Sequence, residues 1–127
     1  MFEDIDPRSP VPLYEQIAAR VRVAVAAEEL TVGELLPSVR QLAATLRVNP
    51  ATVVQAYRDL EREGFVEMKH GAGTFVQQLP AKKRSDERAR QARALVRGML
   101  AEAARMGVSV SEITRAFRDA TDGDHNG

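Results

Sequence analysis

Ser38-Val39-Arg40-Gln41-Leu42-Ala43-Ala44-Thr45-Leu46-Arg47-Val48-Asn49-Pro50-Ala51-Thr52-Val53-Val54-Gln55-Ala56-Tyr57-Arg58-Asp59-Leu60-Glu61-Arg62-Glu63-Gly64 decides the fold. Ser38 is a helix-capping residue, and Val39, Leu42, Ala43 and Leu46 follow at the steps that put side chains on one helical face. Arg47-Val48 leaves room only for a tight turn. Asn49-Pro50 restarts a helix, because Asn accepts from the free N–H groups and Pro fills the first helical position. Val53, Ala56, Tyr57 and Leu60 make the buried stripe of that helix. Gly64 ends it, since glycine adopts the left-handed conformation of a helix C-terminus.

Outward from this pair the pattern continues. Upstream, Leu13, Ile17, Val21, Ala24 and Val25 mark an amphipathic helix from Pro12 to about Ala27, preceded by an extended arm with Pro7, Pro10 and Pro12. Thr31 to Pro37 reads as a connector. Downstream, Phe65 to His70 favours a strand, Gly71-Ala72-Gly73 a turn and Thr74-Phe75-Val76 a returning strand. Helix, helix, tight turn, helix and hairpin is the order of a winged helix-turn-helix, expected over residues 1–78.

Residues 79–84 read as a linker, and residues 85–121 as helical. Ala92, Leu95, Val96, Met99, Ala103 and Met106 form one apolar stripe, closed by Gly107. Ser109 and Glu112 have capping-box spacing for a last helix carrying Ile113, Ala116 and Phe117. Residues 122–127 are expected to be a disordered tail. Two such helices cannot enclose a core, so the stripe either folds back on residues 1–76 or pairs with a second copy; pairing is the expectation. The predicted fold class is therefore mainly α with a small β-hairpin: a winged helix-turn-helix followed by a two-helix dimerisation region.

Composition narrows the function. The 127 residues hold 18 basic and 18 acidic side chains and no cysteine, which excludes disulfides, thiol catalysis and cysteine-ligated zinc. The only histidines, His70 and His125, fall in the hairpin and the tail, and no carboxylate pair or phosphate loop is evident. No enzyme activity, metal or cofactor is expected. No stretch is long and apolar enough for a membrane span, the acidic start is unlike an export signal, and a cytoplasmic protein is expected. The capped helical tail speaks against a severed fusion to an aminotransferase-like domain.

Neutral net charge argues mildly against nucleic acid, but the charge is unevenly placed. No acid falls between Leu35 and Arg58, a stretch holding Arg40, Arg47 and Arg58, while Asp59, Glu61 and Glu63 crowd the helix end beyond it. Acids there oppose the macrodipole, and a polyanion at the opposite end would account for the split. In a helix-turn-helix the first residues of the second motif helix enter the major groove. Here these are Asn49, Ala51, Thr52 and, one turn on, Gln55. Gln pairs bidentately with adenine, Thr offers a hydroxyl and a methyl, and Ala51 suits a thymine methyl. Asn49 serves as a cap alone or as cap and contact. Arg40, at a helix start where a cation opposes the dipole, reads as a phosphate or base contact, with an ion pair to Glu34 as the other reading. Arg47 is a phosphate contact or a solvated charge. Tyr57 is core by spacing, with a hydroxyl that could reach a phosphate. Lys69 and His70 beside the glycine tip could approach backbone or minor groove. The run Lys82-Lys83-Arg84 with Arg88, Arg90, Arg93 and Arg97 would add only sequence-independent attraction.

Leu36-Pro37-Ser38-Val39-Arg40, Leu42-Ala43, Leu46 to Val53, Ala56-Tyr57, Leu60, Glu63-Gly64-Phe65 and Gly71 to Val76 together resemble the DNA-binding domain of the GntR family, in register over about residues 11–77. The short helical C-terminal region resembles the YtrA subfamily, whose members dimerise through it and lack a large effector domain. The resemblance implies a repressor binding a palindromic operator in double-stranded DNA as a homodimer. It also implies DNA contacts at Ser38, Arg40, Arg47, Asn49, Ala51, Thr52, His70 and Gly71. Two departures stand out. Glu28-Glu29-Leu30 replaces a glycine-ended first helix, which predicts a longer or shifted helix end. Pro50 stands where other branches often place arginine, so a different sequence preference is expected. A small-molecule effector, unidentified, and its absence both stay open.

Overall fold

The computed structural model describes residues 1–125, with side chains through Gly123. Five helices and one hairpin follow in the order α1 (Leu13–Ala26), α2 (Val39–Leu46), α3 (Pro50–Glu63), β1 (Val66–Lys69), β2 (Gly73–Val76), α4 (Ala81–Met106) and α5 (Val110–His125). The chain divides into two compact units, Met1–Arg88 and Ala89–Gly127.

In the first unit the three helices bury the stripes their spacing dictates. Ile17, Ala18 and Val21 of α1 meet Leu42 and Ala43 of α2 and Val53, Ala56, Tyr57 and Leu60 of α3 in one core, closed by Val66, Val76 and Leu79. Their caps are local chemistry. Ser38 Oγ accepts the Gln41 N–H at 3.0 Å while Gln41 Oε1 accepts the Ser38 N–H at 3.0 Å, a reciprocal capping box. Asn49 Oδ1 accepts the Ala51 N–H at 2.9 Å, with Pro50 in the first turn.

The hairpin pairs antiparallel, Val66 opposite Val76 and Lys69 opposite Gly73. The connector before α2 is itself a strand-like partner of β2, which the sequence reading did not anticipate. Gly33 N–H donates to Val76 O at 2.8 Å, Val76 N–H to Glu34 O at 2.9 Å, and Leu36 N–H to Thr74 O at 2.9 Å. Leu35 bridges Phe75, and its Cδ1 lies 2.6 Å from where a Cβ on Gly73 would sit, at a φ of 127° that favours glycine.

Four expectations are corrected. Residues 1–12 are a docked arm: Gln16 binds the Asp6 N–H, the Asp6 carbonyl and the Val11 carbonyl, and Arg20 Nε donates to Met1 O. The first helix ends at Ala26 despite Glu28, which takes φ 61°. Residues 81–84 of the expected 79–84 linker are the first turn of α4. Buried Leu79 anchors it, while Lys83 Nζ donates to Glu63 O at 3.1 Å and Arg88 Nη1 to Ala26 O at 3.5 Å. Both cations sit at helix C-termini, where the dipole favours them. Of the expected tail, Asp122–His125 continue α5; residues 126–127 lie outside the described residues.

The second unit contains the rest of α4, a turn at Gly107 and α5. Ser109 and Glu112 form the expected capping box: Ser109 Oγ accepts the Glu112 N–H at 3.1 Å and Glu112 accepts the Ser109 N–H at 3.0 Å. These bonds hold the Glu112 carboxyl below its usual titration range, the backbone bond contributing most. Among the described residues no helix is long and apolar enough to cross a membrane.

Candidate nucleic-acid interface

The restart at Asn49-Pro50 turns α3 so that Val53, Ala56, Tyr57 and Leu60 are buried and Asn49, Ala51 and Gln55 are exposed, with Thr52 half-buried. Helical spacing puts Ala51, Gln55 and Arg58 along one exposed row. Arg58, at the end of the acid-free stretch, thereby joins the candidate residues; its place in that stretch is the signal for it in the sequence. Arg40 is exposed in the first turn of α2. Glu34 is not its partner, since that carboxylate accepts from the Thr31 N–H and hydroxyl. Neither Arg40 nor Arg47 forms an ion pair with a described residue.

Arg47 has left-handed backbone, φ 57° and ψ 47°, and ends α2 through its own N–H to Ala44 O and that of Val48 to Ala43 O. A non-glycine residue held there costs roughly 1 kcal/mol or more, a kind of strain that gathers at functional sites. Ser38 is exposed; its oxygen caps α2 and its hydroxyl proton remains available to donate. At the hairpin tip Lys69, His70 and Gly71 are exposed, the turn closed by Ala72 N–H to Lys69 O at 3.0 Å. Lys69 Nζ lies 5.3 Å from the centre of the Phe75 ring, which holds its charge near the tip.

Tyr57 leaves this set. Its side chain is fully buried and its hydroxyl donates to Pro37 O at 2.7 Å, so it cannot reach a phosphate. Burial alone pushes its ionisation well above the usual tyrosine range. What it does is fix the Leu36-Pro37-Ser38 segment from which α2 starts.

The acids at the end of α3 also have a second explanation. Glu63 accepts from Arg22 Nε at 2.7 Å and Nη2 at 2.8 Å, and Glu15 accepts from Arg22 Nη1 at 2.7 Å. Arg22 is almost wholly buried; the Glu63 bonds chiefly, and the Glu15 bond after them, keep its guanidinium protonated more firmly than usual against the cost of burial. Glu61 accepts the Met68 N–H at 2.7 Å, and Asp59 pairs with Arg62. All three carboxylates are thus occupied inside the unit. Their placement no longer calls for a polyanion; what remains of the charge asymmetry is the acid-free stretch from Leu35 to Arg58.

In the C-terminal unit Leu95 is 74% exposed, Met106 68% and Phe117 63%, with Val96 and Met99 also exposed. Ala92 is exposed, Ile113 half-buried, and Ala103 already buried within the single chain.

Comparisons with known proteins give the family of the chain. The chain is 46% identical over 72 residues to the HTH-type transcriptional repressor YtrA of Bacillus subtilis, a stretch covering 57% of this chain and 55% of that protein. It is 31% identical over 116 residues to the HTH-type transcriptional regulator YhcF of the same organism, covering 91% and 95%. The solved structure of YtrA from Sulfolobus acidocaldarius, a GntR-family transcription factor, superposes with a TM-score of 0.56 at 30% identity, covering 94% of this chain and 97% of that one. The model of the bacterial regulatory proteins of the gntR family matches residues 13–76, half of the chain. These relatives are transcription regulators rather than enzymes, and the chain belongs to the gntR family of bacterial regulatory proteins.

Proposed function

We propose that the chain is a cytoplasmic transcription repressor that binds a palindromic operator as a homodimer. One observation carries the DNA reading: the N-terminal end of α3 exposes Asn49, Ala51 and Gln55, with Thr52 half-buried beside them, in a stretch that holds Arg40, Arg47 and Arg58 and no acid from Leu35 to Arg58. Ala51, Thr52 and Gln55 read base edges in the major groove. Ser38, Arg40, Arg47 and Asn49 hold the phosphate backbone, and Lys69, His70 and Gly71 approach the adjacent groove. Helix dipoles at the starts of α2 and α3 favour the same polyanion.

The homodimer is supported by the exposed row Leu95, Val96, Met99, Met106 and Phe117, with Ala92 and Ile113 beside it. One recognition helix reads only a few base pairs, and symmetric duplication supplies adequate specificity. Repression, rather than activation, follows the named activity of YtrA of Bacillus subtilis.

A gel shift on the protein's own promoter region, with competitor DNA and a salt series, tests this reading. A discrete band that random DNA does not displace is expected. Arg40→Ala weakens it most. Thr52→Ala and Gln55→Ala weaken operator binding by about 1–3 kcal/mol each and random-DNA binding less. Equal losses on both DNAs would remove Thr52 and Gln55 from readout, and no specific band would overturn the reading.

A further inference from the structure

Four helices of this chain end in one local arrangement. The pivot residue donates its N–H three residues back and the next residue donates five back. This holds for Glu28 to Val25 O and Glu29 to Ala24 O after α1, and for Arg47 and Val48 after α2. It holds again for Gly64 and Phe65 after α3, and for Gly107 and Val108 after α4. The pivots have φ of 61°, 57°, 91° and 73° respectively. Glycine adopts this conformation without steric penalty, and α3 and α4 use it. At α2 the pivot is Arg47, on the candidate DNA face. At α1 it is Glu28, which belongs to no interface described so far.

Glu28 stands on the rim of a cavity of about 290 Å³ within the first unit. The floor is apolar: Val25, Leu30, Val76 and Leu79 are each at most 6% exposed. The rim carries one anion, Glu28, and one cation, Arg84. Three of the neighbouring charges have partners. Glu29 takes Arg20 in two hydrogen bonds, Lys83 caps Glu63 O and Arg88 caps Ala26 O. Glu28 and Arg84 have none among the described residues, and no ion pair joins them to each other. Opposite charges, unpaired, over a shared apolar floor, make a receptor for a molecule that carries both charges and a greasy tail.

We propose that this cavity binds a small zwitterion, an α-amino acid with an aliphatic side chain, and that its occupancy regulates DNA binding. The ligand's carboxylate takes the Arg84 guanidinium, its ammonium takes Glu28, and its side chain covers Val25 and Leu79. The volume lies at the small end of the roughly 300–1,000 Å³ range of ligand pockets, which excludes large effectors. Coupling runs through the other walls. Gln77 leaves β2, Thr31 and Val32 lead into the connector that ends at the α2 cap, and Arg84 lies in the first turn of α4. A ligand held between them changes operator affinity to the extent that it binds one arrangement of these segments better than another.

The occupancy claim stands without DNA; only the regulatory claim rests on the proposed function. The full chain, labelled with ¹⁵N, is titrated with L-leucine, with 4-methylpentanoate, which lacks the ammonium, and with 3-methylbutylamine, which lacks the carboxylate. Saturable shifts are expected at Thr31, Val32, Gln77 and Gln78 with L-leucine. Each single-charge analogue should bind about tenfold more weakly, as should L-leucine to Glu28→Gln and to Arg84→Gln, the loss of roughly one charged hydrogen bond. No saturable shift by about 10 mM, or analogues equal to leucine, overturns the site. In the gel shift, L-leucine should change the affinity for specific DNA about threefold or more, and Glu28→Gln should move that response to about tenfold higher leucine. Leucine binding without any change in specific DNA affinity overturns the regulatory half. Leucine binding in a chain that forms no specific DNA complex strikes the DNA reading and leaves the site standing.

Discussion

The two units of the chain place their large apolar side chains in opposite ways. In the first, Ile17, Val21, Val53, Tyr57 and Leu60 are completely covered, and among the described residues no buried side-chain polar atom lacks a hydrogen-bond partner. In the second, Leu95, Met106 and Phe117 are mostly open to water, and among the described residues Ala103 is the buried apolar one. A helix stripe of that size is unfavourable in water unless something covers it. The first unit covers its own stripes, while the second leaves its stripe exposed, which is the observation behind the proposed dimer.

Truncating the core against truncating the stripe gives the largest contrast. Leu60→Ala removes a fully buried side chain and is expected to cost about 2–5 kcal/mol in urea-induced unfolding. Leu95→Glu, on an exposed position, should leave the unfolding transition of the first unit within about 0.5 kcal/mol. It should convert the chain from dimer to monomer in sedimentation equilibrium. A Leu95→Glu chain that stays dimeric would move the seam elsewhere and dissolve the contrast.

The next effect is smaller and tests how the recognition helix is held. Arg22 binds Glu63 through two nitrogens and Glu15 through the third, tying the end of α3 to the middle of α1. Glu63→Gln keeps the shape but leaves the buried guanidinium with Glu15 alone. Removing one partner of a buried pair costs about 3–5 kcal/mol when both groups are dry. Glu63 is 38% exposed and Glu15 remains, so about 1–2 kcal/mol is expected in the same unfolding experiment. A neutral result would mean that packing of Leu60 and Tyr57 fixes α3 without the ion pair.

This pair also shows where the sequence was legible. Ser38, Asn49-Pro50, Gly64 and the Ser109–Glu112 box announce helix ends because each acts on backbone groups within three residues of itself. The stripes of α1, α2 and α3 were readable for the same reason, since a period of 3.6 is a local property. Arg22 and Glu63 are 41 residues apart, so the acids of α3 suggested a distant polyanion when a buried arginine was waiting for one of them. Lys82-Lys83-Arg84 resembled a linker because the carbonyls that Lys83 and Arg88 cap belong to α3 and α1, far upstream. The strand-like pairing of residues 33–36 likewise depends on β2, about forty residues on. At the site, the exposed face of α3 followed from helical phase alone. Tyr57 did not, because phase fixes the face of a ring and leaves open which carbonyl its hydroxyl finds.

Arg47 and Gly64 bring the comparison down to one residue each. Both end a motif helix in left-handed backbone with the same pair of hydrogen bonds, at φ 57° and 91°, and only one of them carries a side chain. At Gly64 the turn is relaxed; at Arg47 a β-carbon is held where L residues are strained. Arg47→Gly therefore removes strain and a side chain together. Part of the gain is offset because glycine also loosens the unfolded chain, which leaves a net stabilisation of about 0.5–1 kcal/mol. If the guanidinium meets a phosphate, the same substitution weakens operator and random DNA alike and lowers the salt dependence of binding by about one counterion. Stability and DNA affinity should thus move in opposite directions in one variant, read by thermal unfolding and by a gel-shift salt series. A variant that gains stability and keeps its full affinity would make Arg47 a solvated charge. One that loses stability would mean that the arginine side chain supports the turn by contacts of its own, and that the strain was never the dominant cost there.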